Sequence, residues 1–199
     1  MVERPLDLRV IKVYWLLIAH HFDGLLIDLS LFDFRGGENP EVRQDAKLVV
    51  PVERAYDEVL GLLDEYHRGK DILWRPSFYY KNHLSSATTT LIWVDNFQFK
   101  NPYKIKPPFF VYTEQNKFQA YFKLKHPVSI EEADKLQKEL AKHVGDGTPV
   151  SFFQHRQIAG LSNAKLFFSW KMFYLTSQEI YSLKSGREEG EKESTPPTH

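Results

Sequence analysis

The stretch best equipped for chemistry is KFQAYFKLK, from Lys117 to Lys125. Strict alternation puts Phe118, Ala120, Phe122 and Leu124 on one face of a strand. Lys117, Gln119, Tyr121, Lys123 and Lys125 fall on the other. The first set is a core face. The second carries three cations and an aromatic ring, which suits a phosphate backbone with stacked bases or an ordinary solvated sheet face. Trp74, Phe78, Tyr79 and Tyr80 are interleaved with Arg75 and Lys81. They admit stacking on single-stranded DNA, or a core strand with a polar end.

Other chemistries find less support. The chain has no cysteine, which excludes disulfides, thiolate metal sites and cysteine nucleophiles. Gly36-Gly37 and Gly145-x-Gly147 lack the Lys and Ser/Thr of a phosphate-binding loop and read as turns. His20 and His21 diverge by about 100° around a helix, so they share an ion poorly and read as a helix C-terminal pair. His126, His143 and His155 are scattered. Asp28 and Asp33 have odd spacing on one strand and read as surface or turn residues. No Ser/His/Asp order stands out.

The chain has 199 residues, 42% hydrophobic and 15% aromatic, enough for one sizeable core. A single domain over residues 1–184 with a disordered acidic tail over 185–199 is expected. Formal charge is zero, from 26 basic and 26 acidic residues, which argues against a histone-like binder. Charge is nevertheless uneven: from Lys100 to Lys125 six lysines face one carboxylate, Glu114. Val10 to Ala19 is apolar but too short to span a bilayer, and Lys12 interrupts it. A core helix, no membrane and a cytoplasmic location follow as expectations.

The elements that must position these residues can be read in order. Pro5 to His20 is a helix with Leu6, Val10, Val13 and Leu17 at helical spacing. Leu25 to Phe34 is a strand, and Val42 to Val50 includes a short one. Pro51 opens a helix burying Val52, Tyr56, Val59, Leu63 and Tyr66, which Gly69 ends. Asp71 to Tyr80 is an aromatic strand, followed by a polar loop over Lys81 to Ala87. Thr88 to Phe97 is a buried central strand. Phe109 to Lys125 is a hairpin. Ser129-Ile-Glu-Glu132 caps a helix whose buried stripe is Ile130, Ala133, Leu136, Leu140 and Val144. A loop from Asp146 to Asn163 leads to a last strand, Leu166 to Phe173. Thr176 to Glu179 caps a short helix through Leu183.

This order resembles the RepB-like DNA primase domain of plasmid and phage replication proteins, within the archaeo-eukaryotic primase, or prim-pol, superfamily. The likeness runs from about Val10 to Leu183. It rests on DGLLIDLSL, LLDEYHRG, DILWRPSFYY, LIWVDNF, FFVYTEQNKFQAYFKLKHPVS and RQIAGLSNAK. It implies an α+β fold, with a mostly antiparallel sheet of the RNA-recognition-motif type flanked by helices. It also implies template-directed phosphodiester synthesis with Mg²⁺ or Mn²⁺ held by three carboxylates. Asp95 would be the catalytic metal ligand, with Asp146 as a second candidate. Lys123, Arg156, Asn163 and Lys165 would hold nucleotide phosphates. Lys117, Gln119, Tyr121 and Lys125 would face the template.

The sequence departs from that pattern where the metals would sit. Two carboxylates at i and i+2 of a strand share one face, but position i+2 from Asp95 is Phe97. Asn96 points the other way on a regular strand, and Ser151 or Phe152 stands where a third acid belongs. The expectation is a replication protein of a plasmid, phage or other mobile element that binds DNA and nucleotides, with primer synthesis weakened or lost. It would act alone or beside a separate helicase. A competent primase-polymerase and a protein-interaction module are the alternatives.

Overall fold

The computed structural model describes residues 4–33, 43–77, 86–113, 117–146, 151–162, 164–169 and 174–183. Phe78 to Ser85, Asn163 and the tail lie outside the described residues.

The first helix, α1 (Leu8–Ala19), starts at Asp7, whose carboxylate accepts from the amides of Arg9 and Val10. Those donors have no partner within a first turn. The segment is apolar on most sides, so its phase is decided by packing. It buries Ile11, Tyr14, Trp15 and Ile18 and leaves Val13 exposed. The stripe expected from Leu6, Val10, Val13 and Leu17 is therefore out of phase with the buried one.

After α1 come β1 (Phe22–Asp23), β2 (Leu26–Asp33) and β3 (Arg43–Pro51). The stretch after Pro51 is broken into a 3₁₀ turn (Val52–Arg54), α2 (Ala55–Gly61) and α3 (Leu63–His67). It ends at Gly69, whose φ of 98° suits a residue without Cβ. Then follow β4 (Asp71–Pro76), β5 (Thr88–Asp95), β6 (Phe109–Tyr112), β7 (Phe118–Ser129), α4 (Ile130–Val144), β8 (Arg156–Gln157), β9 (Lys165–Phe168), β10 (Tyr174–Leu175) and α5 (Ser177–Ser182). No helix among the described residues is long and apolar enough to cross a membrane.

The fold is mixed α+β and mostly antiparallel. Its strands divide between two sheets. The larger has the order β1-β5-β7-β6-β9, with β10 alongside β7, the one parallel pair among the described strands. The smaller has the order β3-β2-β4-β8. Helix α4 packs on β5, with Ile130, Ala133, Leu136, Leu140 and Val144 all buried, as their spacing predicts. Ser129 Oγ accepts from the Glu132 amide at 3.2 Å, while the Glu132 carboxylate takes the Tyr181 hydroxyl at 3.1 Å. At α5, Thr176 and Glu179 form a complete capping box.

The two sheets face each other across an aromatic interior. Trp74 of β4 and Trp93 of β5 meet edge to face with centroids 5.8 Å apart. Tyr14 and Trp15 of α1 enter the same layer, 6.2 Å from Tyr121 and 5.3 Å from Trp74 respectively. Register fixes which side chains look inward. Trp93 lies opposite Tyr121, and Asp95 lies opposite Gln119, so all of these share one face.

Candidate functional site: an acid between the sheets

Strand β5 is fully buried from Leu91 to Val94, which is why its sequence is continuously apolar. After that run the next polar residue is Asp95. Asn96 then takes φ 54°, a left-handed conformation that ends the strand and breaks the alternation. Phe97 turns into the core, 4% exposed and edge-on to Phe122 at 5.7 Å. The position i+2 from Asp95 is thus a packing anchor.

Asp95 faces the interior between the sheets. Its Oδ2 accepts from Nη1 of Arg156 in a close ion pair. Arg156 sits on β8, opposite Trp74 of β4, and so shares its inward face. The arginine side chain is 0% exposed. Its guanidinium lies 4.9 Å from the Trp93 ring centroid, and Nη2 donates to the Ser151 carbonyl at 3.3 Å. Trp93 in turn stacks on Phe152 at 4.1 Å. Asp95 Oδ1 and Arg156 Nε are buried without a hydrogen-bond partner.

Beside the pair runs a neutral relay. Trp74 Nε1 donates to the Tyr14 hydroxyl at 2.8 Å, which pairs with the Tyr121 hydroxyl at 2.9 Å. Burial pushes both phenols well above their usual range, so they stay protonated.

A second polar cluster lies on the opposite face of the smaller sheet. Asp28 is fully buried there, with Lys47 Nζ at 3.0 Å and Arg75 Nε at 3.2 Å. This corrects the reading of Asp28 as a surface residue: a carboxylate is retained in the interior because two cations meet it. His155 Nε2 is 3.2 Å from Ser30 Oγ. Burial lowers the His155 pKa to about 4, and the charges of Arg75 and Lys47 act in the same sense.

The residues singled out from sequence do not converge on one site. Gln119 and Tyr121 are buried, 8% and 0% exposed. They cannot form a solvated template face, because the smaller sheet and α1 cover the side of β7 that they occupy. Arg156 is buried as well and spends its charge on Asp95, not on an outside phosphate. Lys117, Lys125 and Lys165 are exposed. Lys123 is half-buried, 5.0 Å from the Tyr174 ring. Asp146 accepts from Asn96 Nδ2 at 2.7 Å. The ion-pair partners Asp95 and Arg156 are 61 residues apart, and nothing in the local sequence of either signals the other.

A pair of catalytic divalent ions needs several anionic ligands around shared positions. Among the described residues no three His, Asp or Glu side chains gather in a way that could hold a metal ion. Asp95 offers one carboxylate, and the adjoining guanidinium repels a cation. Among the described residues, those around Asp95 do not make up the ligand set of a metal pair.

The architecture is two facing antiparallel sheets with few helices, and solved primase domains share this fold. The chain is similar to the catalytic domain of primase RepB' solved in complex with initiator DNA, with TM-score 0.60 and 15% identity over 94% of this chain and 98% of that one. A second structure of primase RepB' matches with TM-score 0.60 and 16% identity, covering 93% of this chain and 66% of that one. The primase domain of the cyanophage S-2L primase-polymerase matches with TM-score 0.60 and 12% identity, over 89% and 98% of the two chains. No protein-family model and no curated protein sequence matches the chain.

Proposed function

We propose that this chain is a primase-like replication domain of a mobile element that binds DNA and nucleotides, with primer synthesis weakened or lost. The observation that carries the reading is the ion pair: Asp95, the last residue of β5, is paired with a fully buried arginine. DNA binding is supported by the similar primase domain solved with initiator DNA. A fold of this type hosts chemistry only where its site retains the ligands.

The test is incorporation of labelled NTPs and dNTPs on a single-stranded template in Mn²⁺ or Mg²⁺, beside DNA binding across a salt series. The expected result is binding with a steep salt slope and no incorporation above that of Asp95→Asn. Incorporation abolished by Asp95→Asn would overturn the loss of chemistry. One observation favours that competent alternative: Asn96 holds the exposed Asp146 carboxylate at the end of β5. Asp146→Asn would then abolish incorporation too. A salt slope near zero would refute DNA binding and leave a protein-interaction module.

A further inference from the structure

The outer face of the larger sheet carries a surface that the interior does not explain. Phe110 of β6 lies opposite Phe167 of β9 in register, and their rings stack at 5.2 Å with 14° between planes. Phe99, from the segment after β5, meets Phe110 at 5.0 Å and Phe118 at 4.9 Å. Phe110 and Phe118 are 5.6 Å apart. Phe97 anchors Phe99 from below at 5.0 Å. The four rings form one surface, and two of them stand well out of it: Phe99 is 48% and Phe167 43% exposed. Clustered exposed rings of this kind mark an interaction site.

The surroundings of the rings are cationic. The described segments bearing these rings, 97–113, 117–118 and 165–168, hold Lys100, Lys104, Lys106, Lys117 and Lys165, all exposed, and no carboxylate. Lys165 lies opposite Tyr112 in the same register, on the face that Phe167 and Phe110 share. Protein interfaces are depleted in lysine. Flat rings with a cationic rim fit unpaired bases and their phosphates.

We propose that this outer face binds single-stranded nucleic acid, with bases stacking on Phe99, Phe110 and Phe167 and phosphates meeting Lys100, Lys117 and Lys165. The proposal rests on the functional reading above for its class of ligand. Its residues, however, lie outside the interior of Asp95 and Arg156.

The experiment is fluorescence anisotropy of the full chain with a fluorescein-labelled dT20 oligonucleotide. Phe99→Ala and Phe167→Ala should each weaken binding by roughly 5- to 150-fold, the range for loss of one stacked base. Phe167→Trp should bind at least as tightly as the wild type. Lys165→Glu should lower the salt slope by about 0.7, one single-strand phosphate contact. Both rings are exposed, so the alanine variants should keep their thermal midpoints. Two folded alanine variants with wild-type affinity would overturn the platform while leaving DNA binding intact. A wild-type chain without affinity for dT20 would overturn both the platform and the functional reading. Self-association lost on Phe167→Ala, with DNA affinity unchanged, would assign the face to a second copy of the chain and overturn the proposal.

Discussion

Removing the Asp95 carboxylate alone should destabilise the protein more than removing the whole ion pair. Arg156 is 0% exposed, so Asp95→Ala strands a guanidinium in the interior. Breaking a buried pair from one side costs about 3–5 kcal/mol. Asp95 is 16% exposed, so water relieves part of the reverse loss, and Arg156→Met should cost about 3 kcal/mol or less. The double variant leaves no charge behind, and the methionine chain can fill the space against Trp93. It should lie within roughly 2 kcal/mol of the wild type. Urea unfolding followed by tryptophan fluorescence reads all three. At a slope of about 2 kcal/mol per M, Asp95→Ala should lower the midpoint by roughly 2 M. Asp95→Asn keeps an acceptor for Arg156 and should cost only about 1.5–3 kcal/mol, which makes it the sounder control for the incorporation assay. Singles that simply add, or an Asp95→Ala midpoint equal to the wild type, would refute the burial of an uncompensated charge.

Other perturbations test the frame around the pair. Gly160 has φ +93°, and a Cβ there would meet the Asp7 carbonyl at 2.6 Å and the Ile11 amide at 2.9 Å. Gly160→Ala should therefore cost about 2–4 kcal/mol in chemical unfolding. Gly61→Ala, in α2 with nothing within 4 Å, should stabilise by about 0.5–1 kcal/mol. The Tyr14 hydroxyl serves both Trp74 and Tyr121, so Tyr14→Phe strands two buried groups and should cost about 2–4 kcal/mol, against about 1 kcal/mol for Tyr121→Phe. Burial, with nearby cations, lowers the pKa of His155 and of His21 to about 4, below the unfolded value of about 6.5. Between those values the unfolded chain binds more protons. The stability due to these groups is therefore complete above pH ~6.5 and lost as pH falls toward ~4. A His21→Gln/His155→Gln double variant should flatten the decline in thermal midpoint between pH 6.5 and 5.

Local signals were legible where one element's own periodicity decides its burial. Helix α4 shows this: Ser129 starts it, and the apolar stripe from Ile130 to Val144 is buried as spaced. The apolar run of β5 likewise announces a strand covered on both faces. The misreadings share a cause, which is that a second layer covers a face one strand cannot report. Tyr121 alternates with apolar residues and so reads as exposed, yet the smaller sheet and α1 lie over it. Asp28 reads as a surface charge because most charges are, and the resemblance assigns Arg156 to nucleotide phosphates. Their partners are Asp95, 61 residues from Arg156, and Arg75, 47 residues from Asp28. Such pairs exist only once the sheets are assembled. Helix α1 failed for a different reason: it is apolar nearly all round, so its sequence leaves the phase open, and the hydroxyl of Tyr14 fixes which side meets Trp74.

The ion pair also bears on how charge is balanced in the interior between the sheets. An acid at the end of β5, facing the interior, needs a neighbouring positive charge, because an unpaired carboxylate in that setting is strongly disfavoured. Where ligands for divalent ions gather, the ions supply it; here Arg156 does, on a strand of the opposing sheet. Any cation entering would have to displace a guanidinium that has little water to retreat into. Mn²⁺ should therefore leave the thermal midpoint unchanged. A site filled at 100 times its Kd would add about 2.7 kcal/mol, or roughly 5–10 °C for a chain of this size. A rise of that order, abolished by Asp95→Asn, would mean that Arg156 yields to metal and that the pair is the resting state of an active centre.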